Sequence, residues 1–194
     1  MHRLFLAIVP PEPIRDQLLN LMDGPESLRW QSEEQLHCTL RFVGEVERPI
    51  AEDLAGVLDR IRFDPFELRL CGIGRFARRR GGALWAGVRP REPLAALAGR
   101  LDRLCQSVGL EPERRAYHPH LTLARWSGQQ PDLQPWLQQH AGLTSEPWSV
   151  DRFVLVESTL TKNGAHYDAI ESYPRTDNYS GTRASRWSGA GPLG

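Results

Sequence analysis

The strongest constraint on this chain is a short phrase written twice, His37-Cys38-Thr39-Leu40 and His120-Leu121-Thr122-Leu123, each inside an apolar run of strand character. Alternate side chains of a strand share a face, so each copy presents a histidine and a threonine together while the other parity packs inward. Two such strands set side by side place two imidazoles and two hydroxyls around one small space. A neutral and a protonated imidazole can move protons to and from a phosphate ester, because histidine titrates near neutral pH. Threonine hydroxyls can donate to the nonbridging phosphoryl oxygens. By simple alternation Arg41 joins the His37 face, where a guanidinium could clamp phosphate or RNA, whereas Arg125 falls on the parity opposite to His120.

Composition narrows the alternatives. The chain has 194 residues, 40% hydrophobic and 25% charged, enough for one ordinary domain or two closely packed lobes. Its 24 basic and 24 acidic residues cancel, so polyanion binding would have to come from local patches. Three cysteines, Cys38, Cys71 and Cys105, are odd in number and form no CxxC pair. That argues against a disulfide framework or zinc knuckle and for a reducing cytoplasm. The apolar run at 4–9 is too short for a signal segment, and nothing reaches membrane-spanning length, so a membrane is not an expected partner. No phosphate-binding glycine loop occurs, and two histidines without nearby carboxylates or cysteines make a poor zinc site; the expectation is no cofactor and no metal.

Residues 3–9 read as a buried strand, 14–22 as a helix, 36–43 as the first motif strand and 50–61 as an amphipathic helix. Strands at 66–71 and 83–88 are joined by residues 72–82, a connection containing Arg75, Arg78, Arg79 and Arg80. A helix over 94–108 stops at Gly109, the second motif strand covers 118–126, and a short helix fits 133–139. Residues 150–157 and 166–170 suggest a closing hairpin through Asn163-Gly164. The order resembles one αβ unit used twice. From about 175 onward the chain is rich in Gly, Ser and Arg and nearly free of apolar residues, so 1–174 is expected to form the domain and 175–194 a disordered tail.

These residues resemble the 2H phosphoesterases, specifically the bacterial and archaeal RNA 2′,3′-cyclic phosphodiesterases, also called 2′-5′ RNA ligases. The resemblance runs from Arg3-Leu4-Phe5-Leu6-Ala7-Ile8 through Leu36-His37-Cys38-Thr39-Leu40-Arg41-Phe42-Val43-Gly44. It continues with Pro65-Phe66-Glu67-Leu68, Leu84-Trp85-Ala86-Gly87-Val88 and His118-Pro119-His120-Leu121-Thr122-Leu123-Ala124-Arg125. It implies an α+β fold of two pseudo-symmetric lobes, each an antiparallel β-sheet flanked by helices, with the motif strands lining a central cleft. It implies hydrolysis of 2′,3′-cyclic phosphate ends of RNA, or of cyclic nucleotides, to 2′-phosphates by a monomeric enzyme. By motif position His37 would protonate the departing 3′ oxygen, His120 would activate water, and Thr39, Thr122 and Arg125 would hold the phosphate.

Around this core, the arginines at 75, 78, 79 and 80 are candidates for gripping RNA, and Tyr117 offers a ring for base stacking or for packing at the cleft rim. Cys38 faces away from His37 and reads as a packing residue. Two other functions fit the same residues: ATP-independent 2′-5′ ligation at the same site, and an RNA-end-binding module without turnover.

Overall fold

The first strand of the chain is apolar at nearly every position, and the computed structural model of the protein, which describes residues 1–161 and 164–174, shows why. Leu4, Phe5, Leu6, Ala7 and Ile8 are all buried, because Leu4, Leu6 and Ile8 face the main core while Phe5 and Ala7 pack in a small cluster on the other face. The chain runs β1 (His2–Ile8), α1 (Glu12–Leu19), a two-residue β2 (Arg29–Trp30), a 3-10 turn (Glu33–Gln35), β3 (Cys38–Val46) and α2 (Arg48–Leu58). It continues through β4 (Phe66–Arg78), β5 (Gly81–Arg89), α3 (Glu92–Ser107), β6 (His120–Ser127) and α4 (Gln134–Gln139). It closes with β7 (Trp148–Val150), β8 (Phe153–Thr161) and β9 (Gly164–Tyr173). Each of these α-helices has proline as its second residue, where a missing N–H breaks no helical bond and a fixed φ suits helix entry.

The sheet is antiparallel throughout, in the order β7-β4-β5-β6-β3-β1-β8-β9, with β2 added beside β6. Its two halves, β6-β5-β4-β7 and β3-β1-β8-β9, meet through a single residue pair, Cys38 opposite Leu121. Each half contains a strand–helix–motif-strand unit, β1-α1-β3 in one and β5-α3-β6 in the other. The halves are interleaved: α2 leads from β3 to β4 in the other half, and β8 returns to pair with β1. The α+β architecture of two antiparallel half-sheets is therefore as expected.

One main core lies between the sheet and the helices. Leu18, Leu54, Leu58, Leu97, Leu101 and Trp136 from the helices join Leu6, Leu40, Leu121 and Leu123 from the strands. Each large side chain removed from water contributes about 1.5–3 kcal/mol. Phe5, Ala7 and Val156 form a separate small cluster, with Tyr167 packed against it.

The motif strands depart from simple alternation in the same way. Along β3, Ala7 pairs with Thr39 but Leu6 with Arg41, leaving Leu40 as an extra residue; along β6, Trp85 pairs with Thr122 but Leu84 with Ala124, leaving Leu123 extra. The leucine of each phrase is thus a β-bulge, and a bulge reverses the parity of everything beyond it. Arg41 consequently turns away from the histidine face. It is only 8% exposed, its Nε donates to Asp102 of α3 at 2.6 Å, and its other nitrogens donate to the carbonyls of Phe42 and Glu111. The expected phosphate or RNA clamp at Arg41 is a structural tie between β3 and α3.

Other differences are local. The segment at 72–82 is mostly strand, with β4 running to Arg78 and a tight turn at Arg79-Arg80 before Gly81, whose φ is +133. A Cβ on Gly82 would lie 2.2 Å from the Trp126 ring and 2.3 Å from the Phe76 carbonyl, so that register admits only glycine. β7 separates from the expected 150–157 strand and pairs with β4 instead. Asn163 and the tail from 175 lie outside the described residues.

Asp102→Ala removes the carboxylate bonded to the buried Arg41 guanidinium, leaving Glu113 at 3.9 Å, and should lower stability by about 2 kcal/mol, read from the urea midpoint. Gly142→Ala, where a Cβ meets nothing within 4 Å, should change it by less than about 0.5 kcal/mol.

Candidate active site

The pairing of Cys38 with Leu121 builds the site directly. In an antiparallel ladder, the residues flanking an opposed pair also oppose one another and lie on the face that the pair avoids. His37 therefore stands across from Thr122, and Thr39 across from His120, while Cys38 and Leu121 point into the core. No further pair joins the two strands, so they diverge around these four side chains.

Both histidines are oriented by the same device. His37 Nδ1 donates to the Gln35 carbonyl at 2.7 Å, and His120 Nδ1 donates to the His118 carbonyl at 2.6 Å. With the proton on Nδ1, a neutral ring offers the Nε2 lone pair. Gln35 is itself fixed: its side chain accepts from Ser32 N at 3.0 Å and donates to the Ala165 carbonyl of β9 at 2.6 Å. Pro119 is buried between His118 and His120, and the strand begins only at His120.

Aromatic rings wall each imidazole. Phe5 lies 4.8 Å from His37 between ring centroids, and Tyr167 meets it edge-on at 5.3 Å. Phe76 stands edge-on to His120 at 4.9 Å, with Trp85 at 6.3 Å. Trp85 is half-buried in this wall rather than in the core, and its ring occupies the space where a Cβ on Gly74 would sit. Burial pushes the His37 pKa down to about 4, against the opposing pull of the Gln35 carbonyl; the charges of Arg125 and His120 push it the same way as burial. His120 is also lowered, first by burial, against the opposing pull of the His118 carbonyl, with the charges of His118 and Arg125 adding to burial. Burial raises the Cys38 thiol to about 11, which suits packing rather than nucleophilic attack.

A cleft of about 640 Å³ opens against this face, lined among others by His37, Thr39, Arg125, Gln35, Phe42 and Tyr167. Arg125 reaches it because the Leu123 bulge reverses the strand parity, which also explains how its charge bears on both histidines. His120 and Thr122 lie on the neighbouring strand rather than in the cleft lining itself. Among the described residues, no group of three or more His, Cys, Asp or Glu side chains is arranged to hold a metal ion. No described helix is long and apolar enough to cross a membrane.

The remaining candidates separate. Arg78 and Arg80 line an adjoining cavity that shares Arg29 and Arg125 with the cleft. Arg75 pairs with the core residue Leu84 and so lies on the opposite sheet face, and Arg79 occupies the turn, lining neither cavity. Tyr117 packs against the core and donates its hydroxyl to the Thr39 carbonyl at 3.3 Å, so it braces the motif strand instead of lining the cleft. Sequence reasoning missed Phe5, Phe42, Gln35 and Tyr167. Phe42 could have been found, since it follows His37 by the same interval at which Arg125 follows His120.

Comparisons with known proteins fit this geometry. The RNA 2′,3′-cyclic phosphodiesterase of Escherichia coli K12 is 31% identical over 181 residues, 90% of this chain and 97% of that protein. The protein of the same name from Aeropyrum pernix is 34% identical over 142 residues, 71% of this chain and 81% of its own. E. coli LigT complexed with 3′-AMP superposes with a TM-score of 0.75 at 29% identity, covering 89% of this chain and 97% of that one. TT0787 of Thermus thermophilus gives 0.75 at 26% identity, covering 88% and 96%. The family model of the 2′-5′ RNA ligase superfamily matches residues 12–161, a span that takes in both histidine phrases, the bulges beyond them and the helices that position them. On that match and these relatives, the chain belongs to the 2′-5′ RNA ligase superfamily.

Proposed function

We propose that this protein hydrolyses the 2′,3′-cyclic phosphate ends of RNA to 2′-phosphates, without a metal, by acid–base catalysis from His37 and His120. The observation that carries the reading is the Cys38–Leu121 register, which sets each histidine opposite the other motif's threonine around one face. The relatives in bacteria and archaea bear the name RNA 2′,3′-cyclic phosphodiesterase, which supports the same reaction here.

In this reading His120 Nε2 takes a proton from water as the water oxygen attacks phosphorus. The P–O3′ bond breaks, and a protonated His37 delivers its Nε2 proton to O3′, leaving a 2′-phosphomonoester and a free 3′-hydroxyl. Thr39 and Thr122 donate to the nonbridging oxygens, and Arg125 balances their charge. The free protein holds His37 neutral, so the anionic phosphate must raise its pKa on arrival. Both histidines come from one chain, so residues 1–174 of a cytoplasmic monomer carry the complete machinery.

The test is hydrolysis of 2′,3′-cyclic AMP in chelator, with the expected product exclusively adenosine 2′-phosphate. His37→Ala and His120→Ala should each lower kcat by about 10²–10⁴. Unchanged rates in either variant, or activity lost to chelator and restored by a divalent ion, would overturn the mechanism. Adding an acceptor with a 5′-hydroxyl reports 2′-5′ ligation by the same site, while RNA binding without turnover would mark an end-binding module.

Burial of His37 also has a stability consequence. Its folded pKa lies below the ordinary value, so between about pH 6.5 and pH 4 the unfolded chain binds a proton that the folded one refuses. Stability should therefore fall as pH falls through that window. In His37→Gln, the loss between pH 7 and pH 4.5 should be smaller by about 1–2 kcal/mol, allowing for the partly exposed ring.

A further inference from the structure

The hydrolytic site uses one cavity, but a second opens beside it. This groove, of about 340 Å³, shares Arg29 and Arg125 with the cleft and adds Arg78 and Arg80 from the β4–β5 hairpin. The register explains the additions. Phe76 pairs with Ala83 and Arg78 with Gly81, placing Phe76 and Arg78 on one face of β4, while Arg75 opposes Leu84 on the other. Phe76 lines the groove and its ring also meets His120 edge-on, so the groove adjoins the second histidine.

The charge distribution is one-sided. Arg3, Arg29, Arg78, Arg80 and Arg125 line the cleft and groove, and among the described residues no Asp or Glu lines either. By contrast, Arg15, Arg41, Arg48, Arg115 and Arg152 each sit on a carboxylate. In a chain whose 24 basic and 24 acidic residues cancel, cations gathered along one continuous surface focus positive potential there. A single cyclic phosphate needs only the first cavity. The second extends the same potential past Arg125 by the length of the hairpin tip, as a strand with further phosphates requires.

We propose that the groove is a subsite for the RNA phosphodiester backbone leading to the cyclic end, held by Arg78 and Arg80. The enzyme then selects oligoribonucleotide ends over free cyclic nucleotides. The inference rests on the hydrolase reading and names the substrate class of that site.

The experiment compares kcat/KM for 2′,3′-cyclic AMP with that for a tetraribonucleotide ending in a 2′,3′-cyclic phosphate. Wild type should favour the tetranucleotide at least tenfold. The double variant Arg78→Gln/Arg80→Gln should lower that ratio about tenfold. Its slope of log kcat/KM against log salt for the tetranucleotide should be shallower by roughly 1.4, about 0.7 for each single-strand phosphate contact. Arg75→Gln/Arg79→Gln removes the same charge from the same hairpin and should leave the ratio unchanged. No preference in wild type, or equal effects of the two double variants, would overturn the subsite. In parallel, anisotropy measures binding of a fluorescent tetranucleotide with a 3′-phosphate. If wild type turns over neither substrate, the hydrolase reading fails. The groove then stands only if Arg78→Gln/Arg80→Gln weakens binding at least tenfold more than Arg75→Gln/Arg79→Gln does, and it falls otherwise.

Discussion

The site depends on one backbone contact, the pairing of Cys38 with Leu121. A sheet that continued in register across β3 and β6 would bring the strands together along their length and close the space between them. Two separate sheets would leave the histidines with no fixed relation. One pair holds the halves in register and lets the flanking residues diverge, which is the compromise a cleft between strands requires. The interleaving reinforces it: the chain crosses to the other half through α2, between β3 and β4, and again through residues 151–152, between β7 and β8, so neither half-sheet can move away without straining those connections.

The two bulges make the halves chemically unequal. Because Leu40 and Leu123 each add one residue, the fifth position after each histidine returns to the histidine face. That position is Phe42 in one strand and Arg125 in the other, and both line the cleft. The site is therefore symmetric in its proton-transfer groups and asymmetric in its charge. Arg3 lies over the Phe42 ring, 5.2 Å from its centroid, so a cation still stands on that side, but it comes from β1. The fourth position after each histidine, Arg41 or Ala124, turns into the protein, and there Arg41 became an anchor for α3.

The order of elements, the helix faces and the two histidine–threonine faces are legible in the sequence because they rest on local periodicity. Gly109 as the end of α3 is legible for a related reason: glycine readily tolerates the φ of +86 found there. Alternation misplaces Arg41 because it assumes an unbroken strand, and a bulge is fixed by pairing with a neighbour, here β1, that the local sequence does not display. The same bulge mechanism resolves the parity objection to Arg125. In the hairpin, Gly72, Gly74, Gly81 and Gly82 suggest turns and hide the strands that run through them. At Gly74 and Gly82 the missing Cβ instead makes room for the rings of Trp85 and Trp126, a long-range demand. Proline as the second residue of the helices is available in the sequence and sharpens their starts.

The surroundings of the histidines couple charge to occupancy. Aromatic walls and nearby cations both disfavour the imidazolium, so the free protein keeps two neutral rings beside Arg125. An anion entering the cleft opposes the cationic contribution directly and adds an attraction that only a protonated ring can return. Because both histidines share Arg125 as a perturbing charge, the same anion acts on both. His37, its pKa held down to about 4, is walled by Phe5 and Tyr167 on the half-sheet where Phe42 takes the place of arginine. Burial and a shared cation thus keep both rings neutral in the free protein, so the arriving anion has to supply the attraction that protonates His37 before it can serve as the acid.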